Sequence, residues 1–306
     1  MEQHVPVLRE EVVEQLAIRP DGLYVDASFG RGGHSRAILE RLGPGGCLLA
    51  IDRDPDAVRA ARRLAAAEPR MLTAQSRFSE LRGCVAEHFG DARVQGILLD
   101  LGVSSPQLDD PQRGFSFLRE GPLDMRMTPG EGQSAADWLA TAEESEIARV
   151  LRRLGEEPAA RRIARAICER REERPIETTT ELAELIAACV PARPGRHPAT
   201  RAFQAIRMHI NRELEELEQA LEAALDLLDH GGRLCVISFH SLEDRLVKRF
   251  LRDHSRIDPA LADLPVVPPA ARPKLRRPAH AIRPTAAEVA ANPRARSATL
   301  RTGERL

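Results

Sequence analysis

The first hundred residues alternate between short apolar runs and amphipathic helical segments, and this alternation constrains the fold more than any other feature. The apolar runs are LYVDASF, GCLLAID, MLTAQS and VQGILLDLG. Helical segments such as SRAILERLG and PDAVRAARRLAAAE separate them. Nearly continuous apolar runs joined by helices are typical of a parallel sheet covered by helices on both faces. The sequence therefore predicts a doubly wound α/β sheet.

The pattern changes after this stretch. From GFSFLREGPLDMRM to about Pro198 no strand is predicted, and helical stretches such as EESEIARVLRRLG and AARRIARAICERREER follow one another. A long amphipathic segment, TRAFQAIRMHINRELEELEQALEAALDLL, comes next. The run HGGRLCVISF then predicts a fifth buried strand, and ARSATLRTGER an edge strand at the end of the chain. We therefore assign residues 1–113 and 203–306 to the sheet domain and residues 114–202 to an inserted all-helical domain.

Composition excludes several protein classes. The 306 residues are 42% hydrophobic and 30% charged, which is typical of a soluble globular protein with a sizeable core. No apolar run approaches the roughly 18 residues of a membrane span, and the acidic, amphipathic N-terminus is unlike a signal peptide. The five cysteines are scattered without a C-x-x-C pair, and the histidines do not cluster. We expect a cytoplasmic protein with free thiols and no metal site.

Charge is balanced overall but uneven along the chain. The net charge is −1, whereas the C-terminal segment RPKLRRPAHAIR is strongly basic. The helical stretch AARRIARAICERR also carries a basic face. Both are candidates for phosphate contacts. The alternatives are a loose tail for the first and a solvated helix face for the second, which we favour there.

A glycine-rich turn, YVDASFGRGGHS, follows the first predicted strand. A strand, a glycine turn and a helix start form a site where backbone N–H groups face a ligand. Asp52 ends the second strand and suits ribose hydroxyls. The dinucleotide pattern G-x-G-x-x-G is not met, because Ser35 stands at its third glycine. Asp26, just before the loop, better suits the ammonium group of S-adenosylmethionine, and a tight turn without a ligand is the alternative.

Several longer strings carry a family resemblance. They are HVPVLREEVVEQL, AIDRDPDA, ILLDLGVSSPQLDDPQRGFSF, GPLDMRM, HPATRAFQAIRMHINRELEEL, ISFHSLEDRLVK and NPRARSATLR, in this order and together with the glycine loop. The chain resembles the bacterial 16S ribosomal RNA (cytosine-N4)-methyltransferases from His4 to about Arg301. Two small departures are Ser28, where threonine is more usual, and Pro158, where a basic residue is common.

This resemblance implies a class I S-adenosylmethionine-dependent methyltransferase fold, a Rossmann-like doubly wound sheet, with an inserted helical domain that recognises the substrate. It implies S-adenosyl-L-methionine as the cofactor and 16S rRNA of the small ribosomal subunit as the partner, with no DNA and no membrane. A homodimer is compatible with the sequence. The implied cofactor contacts are Gly32, Gly33, His34, Asp52, Phe78, Asp100 and Gln107.

Methylation of an exocyclic amine needs alignment and a hydrogen-bond acceptor for the N–H2 group, but no metal and no covalent nucleophile. Asp100 closes the fourth strand, where ligands sit in doubly wound sheets. Ser104 and Ser105, in the loop beyond it, are further candidate acceptors, with helix capping or turn formation as the alternative. His240, after the fifth strand, is a candidate catalytic residue or a histidine that positions the Asp100 loop. For Glu243, Asp244 and Arg245 we favour an ion pair at a helix start.

Aromatic residues are scarce in this chain, and three of them are site candidates. Phe78, after the third strand, is placed to stack on adenine, with ordinary core packing as its alternative. Phe115 and Phe117, together with Arg113, suit base stacking and phosphate contact in RNA binding. They equally suit a role in which they pin the inserted domain to the sheet.

Three other functions compete with rRNA methylation. A nicotinamide-dependent dehydrogenase is disfavoured by the missing third glycine. A DNA amino-methylase is disfavoured because SSPQ departs from the tetrapeptide Asp/Ser/Asn-Pro-Pro-aromatic at this loop, and because the insertion carries no recognised DNA-reading element. An RNA-binding assembly factor that kept a vestigial methyltransferase fold is the nonenzymatic alternative, which measured cofactor turnover would exclude.

Overall fold

The computed structural model of the protein describes residues 6–191, 195, 197–257, 266 and 268–306. His4, where the family resemblance begins, lies outside the described residues. The helices and strands are, in chain order, α1 Arg9–Leu16, β1 Leu23–Asp26, α2 Gly33–Leu39, β2 Cys47–Asp52, α3 Pro55–Ala65, β3 Met71–Gln75, α4 Leu81–Phe89, β4 Val94–Asp100, α5 Ser105–Asp109, α6 Ala135–Thr141, α7 Glu144–Gly155, α8 Ala160–Glu173, α9 Thr179–Cys189, α10 Thr200–Ile210, α11 Glu213–Leu227, β5 Leu228–Ser238, α12 Ser241–His254, α13 Ala286–Ala291 and β6 Thr299–Glu304.

The six strands form one sheet in the order β3-β2-β1-β4-β5-β6. The pairs β1–β2, β2–β3, β1–β4 and β4–β5 are parallel. The last strand, β6, runs antiparallel to β5 and lies at the sheet edge. The central strands are almost entirely buried, which explains their continuous apolar runs. The predicted doubly wound α/β class and the predicted edge strand are confirmed.

The chain divides into two compact units. One comprises Met1–Gly102 and Glu215–Leu306 and holds the sheet; we call it the sheet unit. The other is Val103–Leu214, and its described regular elements are helices; we call it the helical unit. The predicted boundaries after residues 113 and 202 therefore fall inside the helical unit. The physical reason is that apolar residues of α10, such as Phe203 and Ile206, belong to the helical core.

Each unit has its own core. Leu48, Leu98 and Ile237, from three strands, are completely buried in the sheet unit. In the helical unit Trp138 and Ile163 are buried with apolar residues of α7, α9 and α10. Separate cores of this size are expected for a chain that exceeds the usual length of one domain.

The long amphipathic segment forms two helices, α10 and α11. Helix α10 ends at Ile210, and Arg212 adopts a left-handed φ of 51°, which a continuous helix does not allow. The buried side chain of Asn211 accepts the Met127 N–H at 2.8 Å and donates to the Met125 carbonyl at 2.8 Å. Helix α11, with 15 residues, follows. Among the described residues no helix is long and apolar enough to cross a bilayer.

Candidate active site

Three aspartates occupy the carboxyl ends of three neighbouring parallel strands. Asp26 ends β1, Asp52 ends β2 and Asp100 ends β4. Since β1 lies between β2 and β4 in the sheet, all three acids lie at one sheet edge. Ligands of open α/β sheets bind outside the carboxyl ends of the strands. The candidate site is therefore built on this edge of the sheet unit.

The glycines of the loop after β1 are required by the loop's own packing. Gly30 and Gly32 have φ values of 53° and 74°, which favour glycine. A Cβ at Gly32 would lie 2.5 Å from the Phe29 ring, and one at Gly33 would lie 2.9 Å from Pro6. The predicted cofactor residues Gly32 and Gly33 thus allow the loop backbone to pack closely against Phe29 and Pro6.

The Asp26 carboxylate holds this loop together. It is completely buried and accepts hydrogen bonds from the Ser35 hydroxyl at 2.6 Å and from the Ser28 backbone N–H at 3.1 Å. Burial raises the pKa of Asp26. The prediction that Asp26 faces an ammonium group is wrong for this structure, because its carboxylate has no exposed surface.

Asp52 joins the glycine loop to the end of β2. One carboxylate oxygen accepts the Gly30 N–H at 2.8 Å, and the other accepts the Asp54 N–H at 2.9 Å. Desolvation, followed by the charges of Asp54 and Asp26, raises the pKa of Asp52 to about 6. The side chain is half-buried, and each oxygen keeps a further lone pair for a hydroxyl donor.

Asp100 is a partly exposed acid of this edge with a strongly raised pKa. Its side chain is 26% exposed, and its Oδ2 lies 3.6 Å from His34 Nε2. The other oxygen, Oδ1, is buried and has no hydrogen-bond partner among the described residues. Desolvation and then the charges of Asp26 and Glu243 raise the pKa of Asp100 to about 8. A partly exposed carboxyl with a raised pKa, at a strand end, is typical of a substrate-facing group.

His240 and Glu243 form the start of α12. His240 is the N-cap residue, and its Nδ1 accepts the Glu243 N–H at 3.4 Å. The Glu243 carboxylate accepts the Phe239 N–H at 2.9 Å and the His240 N–H at 3.3 Å. These contacts make His240 the cap of α12. Glu243 also caps the helix, and Asp244 pairs with Arg301 of β6 at 2.6 Å, so the Asp244 ion pair joins α12 to β6.

Phe78 and His34 complete the predicted residues of the sheet unit. Phe78 opens the 3₁₀ turn Phe78–Glu80 that follows β3, and its side chain is half-buried. A partly exposed ring at this strand end leaves a face for stacking. His34 lies in the first turn of α2 and is 5% exposed.

The loop after β4 enters the helical unit, and its predicted residues take part in local capping. Ser104 is the N-cap residue of α5, and Ser105 is the first residue of that helix. The Ser104 N–H donates to Oε1 of Gln107 at 2.8 Å, and Gln107 is 5% exposed. For Ser104 the structure thus supports the capping alternative.

Arg113 and Phe115, predicted to contact RNA, are buried within the helical unit. One guanidinium nitrogen of Arg113 donates to the Met127 carbonyl at 2.9 Å, and the guanidinium lies over the Phe115 ring, 5.7 Å from its centroid. Phe117 is half-buried and meets Phe203 edge to face at 4.7 Å. These contacts fix the local structure of the unit, and they leave only 9% of Arg113 and 7% of Phe115 exposed.

Sequence reasoning missed two residues that shape the Asp100 environment. The Ser28 hydroxyl accepts the Asp100 N–H at 2.6 Å, whereas the sequence marked Ser28 only as a departure from a common threonine. Glu243 raises the pKa of Asp100 although 143 positions separate the two along the chain. Neither contact leaves a signal in a single sequence, because both depend on tertiary packing.

Comparisons with known proteins add to this geometry. The sequence matches the MraW methylase family over residues 1–306. It is 59% identical over 307 residues to the ribosomal RNA small subunit methyltransferase H of Thiobacillus denitrificans, covering 99% of this chain and 97% of that protein. A solved rRNA methylase from Streptococcus thermophilus aligns with a TM-score of 0.42 at 10% identity, covering 97% of this chain and 93% of that one. TrmN from Thermus thermophilus aligns with a TM-score of 0.43 at 14% identity, covering 98% and 48%.

Proposed function

Because the chain belongs to the MraW methylase family, we propose that it transfers a methyl group from S-adenosyl-L-methionine to the exocyclic N4 amine of a cytidine in 16S rRNA. The fold is that of a class I S-adenosylmethionine-dependent methyltransferase. The name of the Thiobacillus denitrificans relative supports rRNA of the small ribosomal subunit as the substrate. The N4 position is supported by the family resemblance. The single observation that supports the proposed chemistry is the partly exposed Asp100 carboxyl at the end of β4, whose pKa is raised.

The sheet edge suits the cofactor. Asp52, fixed by two backbone N–H groups, offers carboxylate oxygens to ribose hydroxyls. Phe78 offers an aromatic face to adenine. Bound S-adenosylmethionine supplies an electrophilic methyl group on a positively charged sulfur.

The Asp100 carboxylate, whose side chain is 26% exposed, suits the target amine. The lone pair of the cytosine N4 amine is delocalised into the ring, so this nitrogen is a poor nucleophile. A carboxylate oxygen that accepts an N–H bond orients the amine and favours build-up of electron density on nitrogen. When the nitrogen–methyl bond forms and the methyl–sulfur bond breaks, the nitrogen becomes positive and must lose a proton. We assign the acceptance of this proton to the Asp100 carboxylate.

The raised pKa of Asp100 suits this role. A general base works best when its pKa lies near the operating pH, and this carboxyl has a pKa of about 8. A positively charged ligand beside the carboxylate favours its ionised form, which lowers that pKa when the cofactor binds. The base is then ionised at neutral pH and remains strong enough to take a proton.

The cysteines support attack at nitrogen. Methylation at a pyrimidine ring carbon employs a cysteine thiolate as a covalent nucleophile. Burial raises the pKa of each of the five thiols, that of Cys235 to about 12. All five therefore stay protonated at neutral pH and are poor nucleophiles.

Methyl-labelled S-adenosylmethionine tests the proposal directly. Purified protein is offered unmethylated small subunits, free 16S rRNA and duplex DNA in parallel, and the labelled nucleoside is identified after digestion. We expect label in N4-methylcytidine from one of the rRNA samples and none from DNA. Label in another nucleoside overturns the N4 assignment. Absence of label from all three samples, with measurable cofactor binding, favours the assembly-factor alternative.

A further inference from the structure

A cavity of the sheet unit is lined by cationic groups. Its volume is about 510 Å³, and none of its described lining residues is acidic. Its basic lining residues are Lys248, Arg252, Arg256, Arg277, Arg283 and Arg301, with His280 beside them. Not one predicted cofactor or catalytic residue contributes to the lining. Because the net charge of the whole chain is −1, the excess of positive charge is specific to this cavity.

The lining side chains come from helix α12 and the residues just after it, from the basic segment RPKLRRPAHAIR and, for Arg301, from strand β6. Lys248 and Arg252 lie four residues apart on α12, so they share a helix face. Arg277 and Arg283 come from the basic segment RPKLRRPAHAIR. This segment is tied to β6: Ile282 and Leu300 exchange backbone hydrogen bonds of 3.0 and 2.9 Å. The loose-tail alternative for this segment is therefore wrong, because the segment is held against the sheet.

Most of this charge is not neutralised by the protein. Arg301 pairs with Asp244, and Arg252 pairs with Asp253. The other four groups make no ion pair with any described residue: Lys248, Arg256, Arg277 and Arg283. The opposite face of α12 differs, since Arg249 pairs there with Glu218 and His254 with Glu222. The face of α12 that carries Arg249 is thus paired with acids of the protein. The face that lines the cavity carries Lys248, whose charge is available to an external anion.

We propose that this cavity binds backbone phosphates of the rRNA substrate, a proposal that rests on the proposed function. Lysine and arginine side chains around phosphates supply much of the affinity of RNA-binding proteins. Pro278, Ala279 and Ala281 complete the wall with small apolar surface, and no described aromatic side chain lines the cavity. Without a stacking surface or an acidic hydrogen-bond acceptor, the cavity holds and orients the RNA backbone and does not read bases.

A triple variant tests this proposal: Lys248→Ala, Arg277→Ala and Arg283→Ala. These exposed side chains have no described ion-pair partner, so their removal leaves no orphaned carboxylate. The matched control is Arg59→Ala, Arg82→Ala and Arg249→Ala, which also removes three exposed positive charges from the sheet unit. Each control arginine pairs with a carboxylate, and none lines the cavity.

The first readout is the Kd for a labelled 16S rRNA fragment as a function of salt. Loss of three phosphate contacts lowers the slope of log Kd against log salt by about 2 and weakens binding on the order of 100-fold at 0.1 M salt. We expect this for the cavity variant, a much smaller loss for the control, and unchanged cofactor affinity. In methylation assays the KM for RNA rises, while kcat at saturating RNA stays the same.

Equal RNA affinity and salt slope in the two variants overturn the proposal. A thermal melt checks folding, and if the triple variant melts early, Arg283→Ala alone is compared with Arg249→Ala in the same way. Failure of the proposed function is distinguishable, because it appears as absence of methylation by the wild-type protein. Even if the wild-type protein does not methylate RNA, the phosphate site is supported when it binds RNA and the cavity variant shows a smaller slope of log Kd against log salt.

Discussion

The hydroxyl oxygen of Ser28 accepts the backbone N–H of Asp100 at 2.6 Å. The bond joins the loop after β1 to the last residue of β4. The same hydroxyl lies 3.4 Å from Asp26 Oδ1, and Asp26 in turn holds Ser35. The backbone position of Asp100 is thus fixed by the loop that carries the predicted cofactor glycines.

Replacement of Ser28 tests this link. In Ser28→Ala the Asp100 N–H loses its acceptor, which costs about 1–3 kcal/mol of unfolding free energy. We also expect a lower kcat, because Asp100 is less well oriented. Ser28→Thr keeps the hydroxyl and is the control. Urea unfolding and steady-state kinetics measure both effects, and identical behaviour of the two variants would show that the bond does not position Asp100.

Asp100→Asn keeps the shape of the side chain but removes its ability to accept a proton. We expect kcat to fall about 100-fold or more, because general bases contribute that much. Cofactor affinity, measured by calorimetry, changes far less than kcat, since the amide keeps an acceptor oxygen. A variant with the kcat of the wild type would remove Asp100 from the chemistry.

The sheet and its acidic edge were predictable because both depend on local patterns. Apolar runs such as VQGILLDLG identify buried parallel strands, and parallel strands bring the acids at their ends, Asp52 and Asp100, to one edge. The glycine turn of β1 was predictable for the same reason. The positive φ values at Gly30 and Gly32 favour glycine independently of contacts with the rest of the chain.

The features that sequence reasoning missed depend on distant contacts. The helical periodicity runs without interruption from α10 into α11, and the break arises because Asn211 is held by backbone groups 84 and 86 positions earlier. Arg113 resembles an RNA contact in the sequence. Its guanidinium is buried because the carbonyls of Arg126 and Met127 accept its N–H groups. Neither partner is visible from spacing alone.

Phe78→Ala tests the adenine contact. Stacking of a base on an aromatic ring contributes about 1–3 kcal/mol, so we expect the cofactor Kd to rise about 5- to 150-fold. The matched control is Phe250→Ala, a half-buried phenylalanine of α12 that contacts His254. Calorimetric titration of both variants with S-adenosylmethionine gives the comparison, and a Kd for Phe78→Ala equal to that of the control would place the ring outside the cofactor site.

Asn211→Ala tests the connection that interrupts the long amphipathic segment. The substitution leaves the Met127 N–H and the Met125 carbonyl without their side-chain partner, and Met125 already has a left-handed φ of 61°. We expect a loss of about 2–4 kcal/mol, because two buried polar groups lose hydrogen bonds. Hydrogen exchange should accelerate at residues 125–127, with Gln133→Ala, an exposed position of the same unit, as the control. Unchanged exchange there would contradict this role for Asn211.

The pH dependence of the reaction should report the ionisation of Asp100. The base is active as the carboxylate, so kcat/KM for S-adenosylmethionine, which reports ionisations of the cofactor-free protein, should rise with pH through about 8 and then level off. The negative charge of Glu243 helps to raise this pKa, and Glu243→Gln should therefore move the midpoint to lower pH. Asp244→Asn removes one negative charge from the same helix turn and serves as the control, because the charges that raise the pKa of Asp100 are those of Asp26 and Glu243. If both variants keep the wild-type midpoint, Glu243 does not act on Asp100.

The same raised pKa predicts how stability depends on pH. The folded protein holds the Asp100 proton more tightly than the unfolded chain does, because the folded-state pKa lies above the ordinary value. The stabilisation is fully present below the pKa of the unfolded state and is lost as the pH rises through about 8. Asp100→Asn lacks this proton equilibrium. The melting temperature of the wild type relative to Asp100→Asn should therefore decline from acidic to mildly basic pH, and a constant difference would show that the carboxyl is not perturbed in solution.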